Sequence, residues 1–383
     1  MASDSRYDVI IVGAGATGLF LGCCLQQLGI RFVLLERRKD NRSQTRSIGI
    51  HPPSLELCDK LGVSAQLLQR GVKVRTGRAM SGKRELGVVS FDRCPPPHNY
   101  VLTLPQYETE KVLEEHIEAK SPAAIRRSVT IENVVQHDHH VEVVARYGAA
   151  ATDRLSASLI VASDGRRSML REKAEIEFEG DRYEDTFVMG DFQDRTSFGT
   201  EARVYLDSHG FIESFPLPGG IRRWVMQTER LQVQPDENAF CEAIRTRTGE
   251  TIQGGLVSLL SAFGVEHYVA ETFAKGRIIL CGDAAHIVSP IGGQGMNLGW
   301  MDAWDVAGAI QRILQDKADL NEKLSIYSRK GRARAHQAIK RAETYMSIGR
   351  KSVVPWRRMM LLNFVLRRPF RDLAARYFTM RWL

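Results

Sequence analysis

The stretch that most constrains the fold is Tyr7–Val12 followed at once by Gly13-Ala14-Gly15-Ala16-Thr17-Gly18. A β-rich run whose Val9–Val12 stretch is wholly apolar reads as a strand buried on both faces. The residues after the glycines continue as a helix to Leu28, with Gly29 placed to stop it. A second apolar run, Phe32–Leu35, ends at Glu36. Strand, GxGxxG, helix, strand and an acid about 20 residues on form a complete dinucleotide fingerprint, whereas a lone GxGxxG is weak. Gly13 suits the tight turn, Gly15 lets a pyrophosphate approach the backbone, and Gly18 lets helix and strand pack closely. The segment from Gly13 through Ala14, Ala16 and Thr17 to Gly18 opens a helix, whose free N–H groups favour phosphate. Glu36 is placed to accept hydrogen bonds from ribose hydroxyls. FAD and NAD both satisfy this pattern.

A second half-site lies far along the chain, in GRIILCGDAAHIVSPIGGQGMN from Gly276 to Asn297. Its apolar run, Ile278 to Cys281, stops at Gly282-Asp283, the place where open α/β sheets hold ligands. Pro290 then turns the chain into Gly292-Gly293-Gln294-Gly295, and a helical pattern begins at Met296 and Asn297. A glycine run at a helix N-terminus suits an anionic or electron-rich ligand. Between the half-sites, Leu159–Ala162 is a third buried run. It also ends in Asp-Gly, at Asp164-Gly165, with Arg166, Arg167, Ser168 and Arg171 following.

With 383 residues the chain is long enough for two full cores. Its 43% hydrophobic and 26% charged residues are ordinary for a soluble protein. No apolar run has the length of a membrane span, and the N-terminus lacks a signal-peptide pattern. Six cysteines without a CxxC pair fit reduced thiols, so the expected location is cytoplasmic. The net charge of +8 is uneven: residues 329–383 hold 15 Lys and Arg against 2 Asp and Glu. That segment carries +13 and the remainder −5, so the basic balance gives no reason to expect nucleic acid as a partner.

Residues 71–104 leave the nucleotide pattern for short strands broken at Pro95-Pro96-Pro97. The chain returns at Gln106 and a helix over Glu108–Ala119. Val129–Val135 and Val141–Tyr147 alternate as a hairpin around His137-Asp138-His139-His140. With no acid ligand set in view, that cluster reads as a solvated turn, and no metal is expected. Residues 176–270 read as an antiparallel sheet, with Tyr205, Phe211, Phe215, Trp224 and Met226 as candidates for its ligand-facing side. No nucleophile–base pair is visible there. The expected division is a discontinuous nucleotide domain over 1–75, 101–175 and 271–330, a substrate domain over 76–100 and 176–270, and a basic helical segment over 331–383.

In order, GAGATG with Glu36, SDGRRSMLR and GRIILCGDAAHIVSPIGGQGMN resemble three motifs of the group A flavoprotein monooxygenases, the p-hydroxybenzoate hydroxylase family. The resemblance implies an α/β fold: a Rossmann-type FAD-binding domain interleaved with an antiparallel-sheet substrate domain, plus C-terminal helices. It implies FAD held by Gly13, Ala14, Gly15, Ala16, Thr17, Gly18, Glu36 and Arg37. Arg46 and Gln106 match contacts to the phosphates and ribityl chain, and Val129 matches a backbone contact to adenine. Asp164 belongs to a motif linked to both FAD and the reduced nicotinamide. Asp283 matches a ribityl contact, Pro290 lies beside the flavin ring, and Gly293, Gln294, Gly295, Met296 and Asn297 face the ring's pyrimidine edge. Arg46 and Pro290 are its candidates for a part in catalysis. NADH or NADPH visits transiently without its own Rossmann domain. The implied reaction is hydroxylation of an aromatic or polycyclic small molecule by O2 through a flavin C4a-hydroperoxide. Epoxidation, Baeyer–Villiger oxidation or double-bond reduction on the same fold, and a non-catalytic FAD-binding protein, stay open as alternatives. The tail alternates Arg with Met, Leu, Phe and Trp over 356–383. Packing of these helices on the nucleotide domain is favoured over contact with a membrane surface.

Overall fold

The computed structural model describes residues 6–40, 47–148, 151–258, 260–350 and 370–381. Its first sheet is built on five parallel strands in the order Ile278–Leu280, Ala151–Ala162, Arg6–Val12, Phe32–Glu36 and Ile125–Arg127. Val9 to Val12, Val33 to Leu35 and Leu159 to Ala162 are all buried, because helices and a hairpin cover both faces. Ala274–Lys275 and the hairpin Val129–Gln136/Val141–Tyr147 add antiparallel strands. Register aligns Val12 with Ala162 and Leu35, and Ala162 with Leu280. Parallel neighbours in this register must end at the same edge. The chain therefore delivers Gly13, Glu36, Ser163-Asp164 and Gly282-Asp283 to one place.

Two helices lock this edge. Ala16–Gln27 and Gly295–Leu314 stack Phe20 on Trp300 at 4.8 Å, and the indole Nε1 of Trp300 donates to Ala16 O at 3.0 Å. The Gln106–Lys120 helix packs beside them, so Gln106 is its first helical residue.

The second sheet has eight strands, in the order His286–Ile287, Ser261–Ala270, Phe178–Gln193, Ile221–Thr228, Gly210–Leu217, Ala202–Asp207, Thr76–Ser81 and Arg84–Ser90. All pairings are antiparallel except Ala202–Asp207 with Thr76–Ser81. Alternation gives it two apolar faces. One packs under the Glu237–Thr248 helix, which is capped by Asp236 Oδ1 accepting from Ala239 N at 2.8 Å. The other holds Phe187, Met189, Phe211, Val225 and Phe263 together with Ile291 and Met346. Ile291 follows Pro290, so this second face is the one turned toward the first sheet's glycine loop.

The basic stretch is one helix of 30 residues, Leu320–Gly349, started by Asp319 Oδ1 accepting from Glu322 N at 2.7 Å. A further helix, Phe370–Phe378, lays Ala375 against Val89, Phe91 and Cys94. Tail residues 351–369 lie outside the described residues. No helix among the described residues is long and apolar enough to cross a membrane.

Candidate functional site

At the edge where the strands end, each glycine of GAGATG answers to a different neighbour. Gly13 has φ +104°, and a Cβ there would meet Ser163 O at 2.4 Å. A Cβ on Gly18 would lie 1.9 Å from Gly13 O. A Cβ on Gly15 would meet only Glu110 Oε1, at 3.9 Å. The protein's own packing thus demands Gly13 and Gly18 but not Gly15, which faces open space at the helix N-terminus. Thr17 fills the join between the half-sites: its Oγ1 lies 2.7 Å from where Gly282 would carry a Cβ, and 2.4 Å from that point on Gly299.

Glu36 is buried at the end of its strand. Its Oε2 accepts from Ala14 N at 2.8 Å, and its Oε1 accepts from Arg38 N at 2.8 Å and Arg38 Nε at 3.0 Å. Burial raises the carboxyl pKa, but the hydrogen bonds from Arg38 and Ala14 outweigh it and hold the group below its ordinary range. Arg38 is thus the arginine that pairs with Glu36, and the Arg37 side chain is exposed. Val129 begins the hairpin strand, buried and paired with Tyr147, two residues beyond the Arg127 that registers with Glu36. Arg46 lies outside the described residues.

Gln106 turns inward: its Nε2 donates to Glu110 Oε1 at 2.7 Å. Glu110 also accepts from Ala16 N at 3.1 Å, and burial raises its carboxyl pKa despite these donors. Asp164 Oδ2 accepts from Met169 N at 3.0 Å, and Arg171 NH1 donates to Ala284 O at 3.0 Å, tying the DG turn to the GD turn. Asp283 is exposed at the opening yet closely walled, so desolvation raises its carboxyl pKa against the pull of His286. Pro290 is exposed, and its carbonyl accepts from Gly293 N at 2.9 Å.

Asn297, expected at the site for its backbone amide, is fully buried and uses its side chain: Oδ1 accepts from His51 N at 2.9 Å, while Nδ2 donates to Gly49 O at 2.9 Å and Gly293 O at 2.7 Å. Its partner His51, like His286 and Asp302, carried no signal in the sequence. His51 Nε2 donates to Gly292 O at 3.0 Å, and desolvation lowers the ring's pKa to about 4. His286 Nε2 meets Asp302 Oδ2 at 2.5 Å, and Arg334 reaches Asp302 Oδ1 at 3.3 Å, bracing the loop against the helix below it. The remote histidine turn also differs from its sequence reading. Glu142 joins His137 and His140, with all three ligand atoms within 4.8 Å of one another. Arg277 holds the turn by donating to Asp138 O.

The sheet corrects the expected substrate lining. Tyr205, Trp224 and Met226 lie on the face under the Glu237–Thr248 helix, packed with Ile212, Phe240 and Ile244. Strand alternation puts Phe211 and Phe215 on the other face, toward Ile291. The misassignment arises because period 2 separates the faces without saying which one the helix covers.

The edge fits FAD on the structure's own terms. Gly15 leaves room that no side chain needs, and Asp164 Oδ1 and Glu110 Oε2 are buried without a hydrogen-bond partner. Such atoms are uncommon unless a ligand or water completes them.

Residues 6–342 match the family model described as an FAD binding domain. A rifampicin monooxygenase from Streptomyces venezuelae is 33% identical over 310 residues, which cover 78% of this chain and 63% of that protein. A para-nitrophenol 4-monooxygenase from Pseudomonas sp. is 27% identical over 329 residues, covering 81% of this chain and 79% of that one. Among solved structures, a p-nitrophenol 4-monooxygenase from Pseudomonas putida DLL-E4 superposes with a TM-score of 0.89. It is 22% identical and covers 99% of this chain and 100% of that one, a likeness of fold. The chain thus spans less than two thirds of the rifampicin monooxygenase it matches. The family model spans most of the chain and agrees with the three motifs gathered at one edge, and the chain belongs to the FAD-binding-domain family.

Proposed function

We propose that this chain is an FAD-dependent monooxygenase that uses NADH or NADPH and O2 to hydroxylate an aromatic or polycyclic small molecule in the cytoplasm. The observation that carries the reading is the meeting of two surfaces. Three cofactor motifs open at one sheet edge, and the aromatic face of the second sheet packs against Ile291 directly above the glycine loop. Rifampicin, p-nitrophenol and anhydrotetracycline oxygenases among the relatives support the same class.

FAD, when bound, supplies the electron transfer and the activation of oxygen. The chain's own residues hold and shield. Gly13–Gly18, Glu36 and Val129 take the ADP half, with Gln106 and Asp164 beside the chain that links it to the ring. Asp283 would accept from a ribityl hydroxyl, and Arg46, outside the described residues, would serve the phosphate side. The amides from Gly293 to Asn297 present a helix N-terminus, which favours negative charge on whatever ring lies against them. Pro290 and the Phe187–Phe211–Phe263 cluster exclude water from the space between ring and sheet.

The test is purification with bound FAD, followed by NADH and NADPH oxidation with a panel of phenols and polycyclic aromatics under 18O2. Ligand-stimulated oxidation with label in the product is expected. FAD content without ligand-stimulated oxidation would leave only a cofactor-holding protein.

A further inference from the structure

On the sheet face that looks toward the Pro290 loop, the fold leaves one acid alone. Glu213 lies mid-strand in Gly210–Leu217, on the same side as Phe211 and Phe215. Its register neighbours are Val204 and Val225, and Val225 faces Met189 on the next strand. Val225, Met189 and Phe211 belong to the cluster that includes Ile291 and Met346. Glu213 is half-buried, and among the described residues no donor or cation reaches its carboxylate. Desolvation is the cause that acts on it, pushing it up to about 7.

Other charged groups on this face are closed. Asp191 pairs with Arg223 at 2.6 and 2.8 Å. Asp185 accepts from Arg350 at 2.6 Å and from Gln227 at 2.8 Å, and Glu343 accepts from Tyr183 at 2.8 Å. An unpaired carboxylate among valines and phenylalanines weakens the fold, and a leucine would pack better there. The residue stays partly exposed and its oxygens are not among the buried unpaired atoms, so its use lies outside the packing of the sheet.

We infer that Glu213 anchors the substrate: its carboxylate accepts a hydrogen bond from a hydroxyl on the aromatic ring and sets that ring against the Pro290 loop. The inference rests on the aromatic-monooxygenase reading and narrows the substrate class to phenols, simple or polycyclic. The phenol's O–H proton moves toward a Glu213 oxygen, and the electron pair left on the phenolic oxygen enriches the ring that is to be oxygenated. A phenol near the tyrosine value of about 10 keeps its proton by about a thousandfold over a carboxyl near 7, so the ground state is a charge-assisted hydrogen bond.

The experiment measures equilibrium binding to the FAD-loaded protein by calorimetry and by perturbation of flavin absorbance. The probes are 4-ethylphenol against 4-ethylanisole and 1-naphthol against 1-methoxynaphthalene, from pH 8 to pH 5.5. Wild type is expected to prefer each phenol over its ether by about tenfold or more at pH 8, the worth of a hydrogen bond to a charged group. The preference should fall as pH drops through about 7 and the carboxylate takes up a proton. Glu213→Gln should lose about tenfold in preference and flatten that limb, with ether affinity and FAD content unchanged. The same variant separates Glu213 from the other groups around the cleft, namely His51, His286, Arg341, Tyr345, Tyr107 and the pairs named above. An unchanged preference in Glu213→Gln, or no preference in wild type for either pair, would overturn the assignment. Intact phenol preference without any NAD(P)H-linked oxygenation would instead reject the monooxygenase reading and keep the anchor.

Discussion

Asn297→Ala tests whether the glycine loop is built by protein or by cofactor. Asn297 is fully buried and joins three backbone segments: it accepts from His51 N, and it donates to Gly49 O and Gly293 O. Removing the amide strands the His51 N–H and the Gly49 carbonyl, both buried, while the Gly293 carbonyl can recruit water. At about 1–3 kcal/mol for each of these two stranded groups, the loss is about 2–6 kcal/mol. That is a large share of a domain stability of about 5–15 kcal/mol. Urea denaturation of FAD-stripped protein should show the loss directly, with weaker FAD binding as a consequence. Asn297→Asp keeps the acceptor for His51 N but turns an oxygen toward two carbonyls. It should be at least as damaging at pH 7 and should recover relative to Asn297→Ala on acidification, as the carboxyl gains a proton to donate. A loss below about 1 kcal/mol in the stripped protein, with FAD affinity still reduced, would show that the amide serves the cofactor rather than the loop.

Gly15→Ala should leave the stripped protein as stable as wild type while weakening FAD binding, whereas Gly18→Ala should fail to fold, its Cβ falling 1.9 Å from Gly13 O; melting curves and FAD titrations read both. Asp283→Ala should weaken FAD retention by about tenfold or more, since a hydrogen bond from a hydroxyl to a charged acceptor contributes about 1.5–3 kcal/mol; retained colour at wild-type affinity would reject the contact. His51 titrates at about 4 when folded, below the ordinary value of 6.5. The unfolded chain therefore gains a proton first as pH falls, and stability drops by up to about 3 kcal/mol between pH 6.5 and pH 4. His51→Gln should show a correspondingly shallower acid decline in urea midpoints.

The cofactor edge was readable because its signals are local. A strand that ends in Gly-Asp, or that runs into GxGxxG, states its own role within ten residues, and parallel register then brings the three ends together. The bracing was not readable, because it joins residues far apart in the chain. Ala16 N meets Glu110 across 94 positions, and His51 N meets Asn297 across 246. That Arg38 rather than Arg37 pairs with Glu36 is likewise decided by the turn geometry. On the sheet, alternation sorted the side chains into two sets. Covering one set with Glu237–Thr248 is a tertiary event, so Tyr205, Trp224 and Met226 went to the wrong side. A signal for Glu213 was present all the same: in Phe211-Ile212-Glu213-Ser214-Phe215 an acid falls between two aromatics at i±2, on an apolar face.

The helix Leu320–Gly349 gives the basic segment a physical task that charge alone did not suggest. Near its end, Tyr345 lies 2.6 Å from where Gly292 would carry a Cβ, and Met346 Sδ lies 3.6 Å from Ser289 Oγ on the Pro290 loop. One turn on, a Cβ at Gly349 would fall 2.0 Å from the Phe211 ring, and Arg350 pairs with Asp185 of the sheet. The same turn thus touches both the Pro290 loop and the aromatic face of the second sheet. Phe378 of the last described helix stacks on Tyr345 at 4.9 Å, and Arg381 binds Glu56 at 2.8 Å. Tyr345, Met346, Gly349 and Arg350 of this helix therefore bridge the Pro290 loop and the second sheet, while Lys330 and Arg334 tie it to Asp305 and Asp302 of the Gly295–Leu314 helix. A close contact at each end makes the spacing of loop and sheet steep in energy, because packed side chains deform little. The gap between the Pro290 loop and the row containing Glu213 is then set by one helix rather than by the sheets separately. Substitutions at Gly349 that push Phe211 away should change ligand affinity while the residues at the GxGxxG edge stay in place.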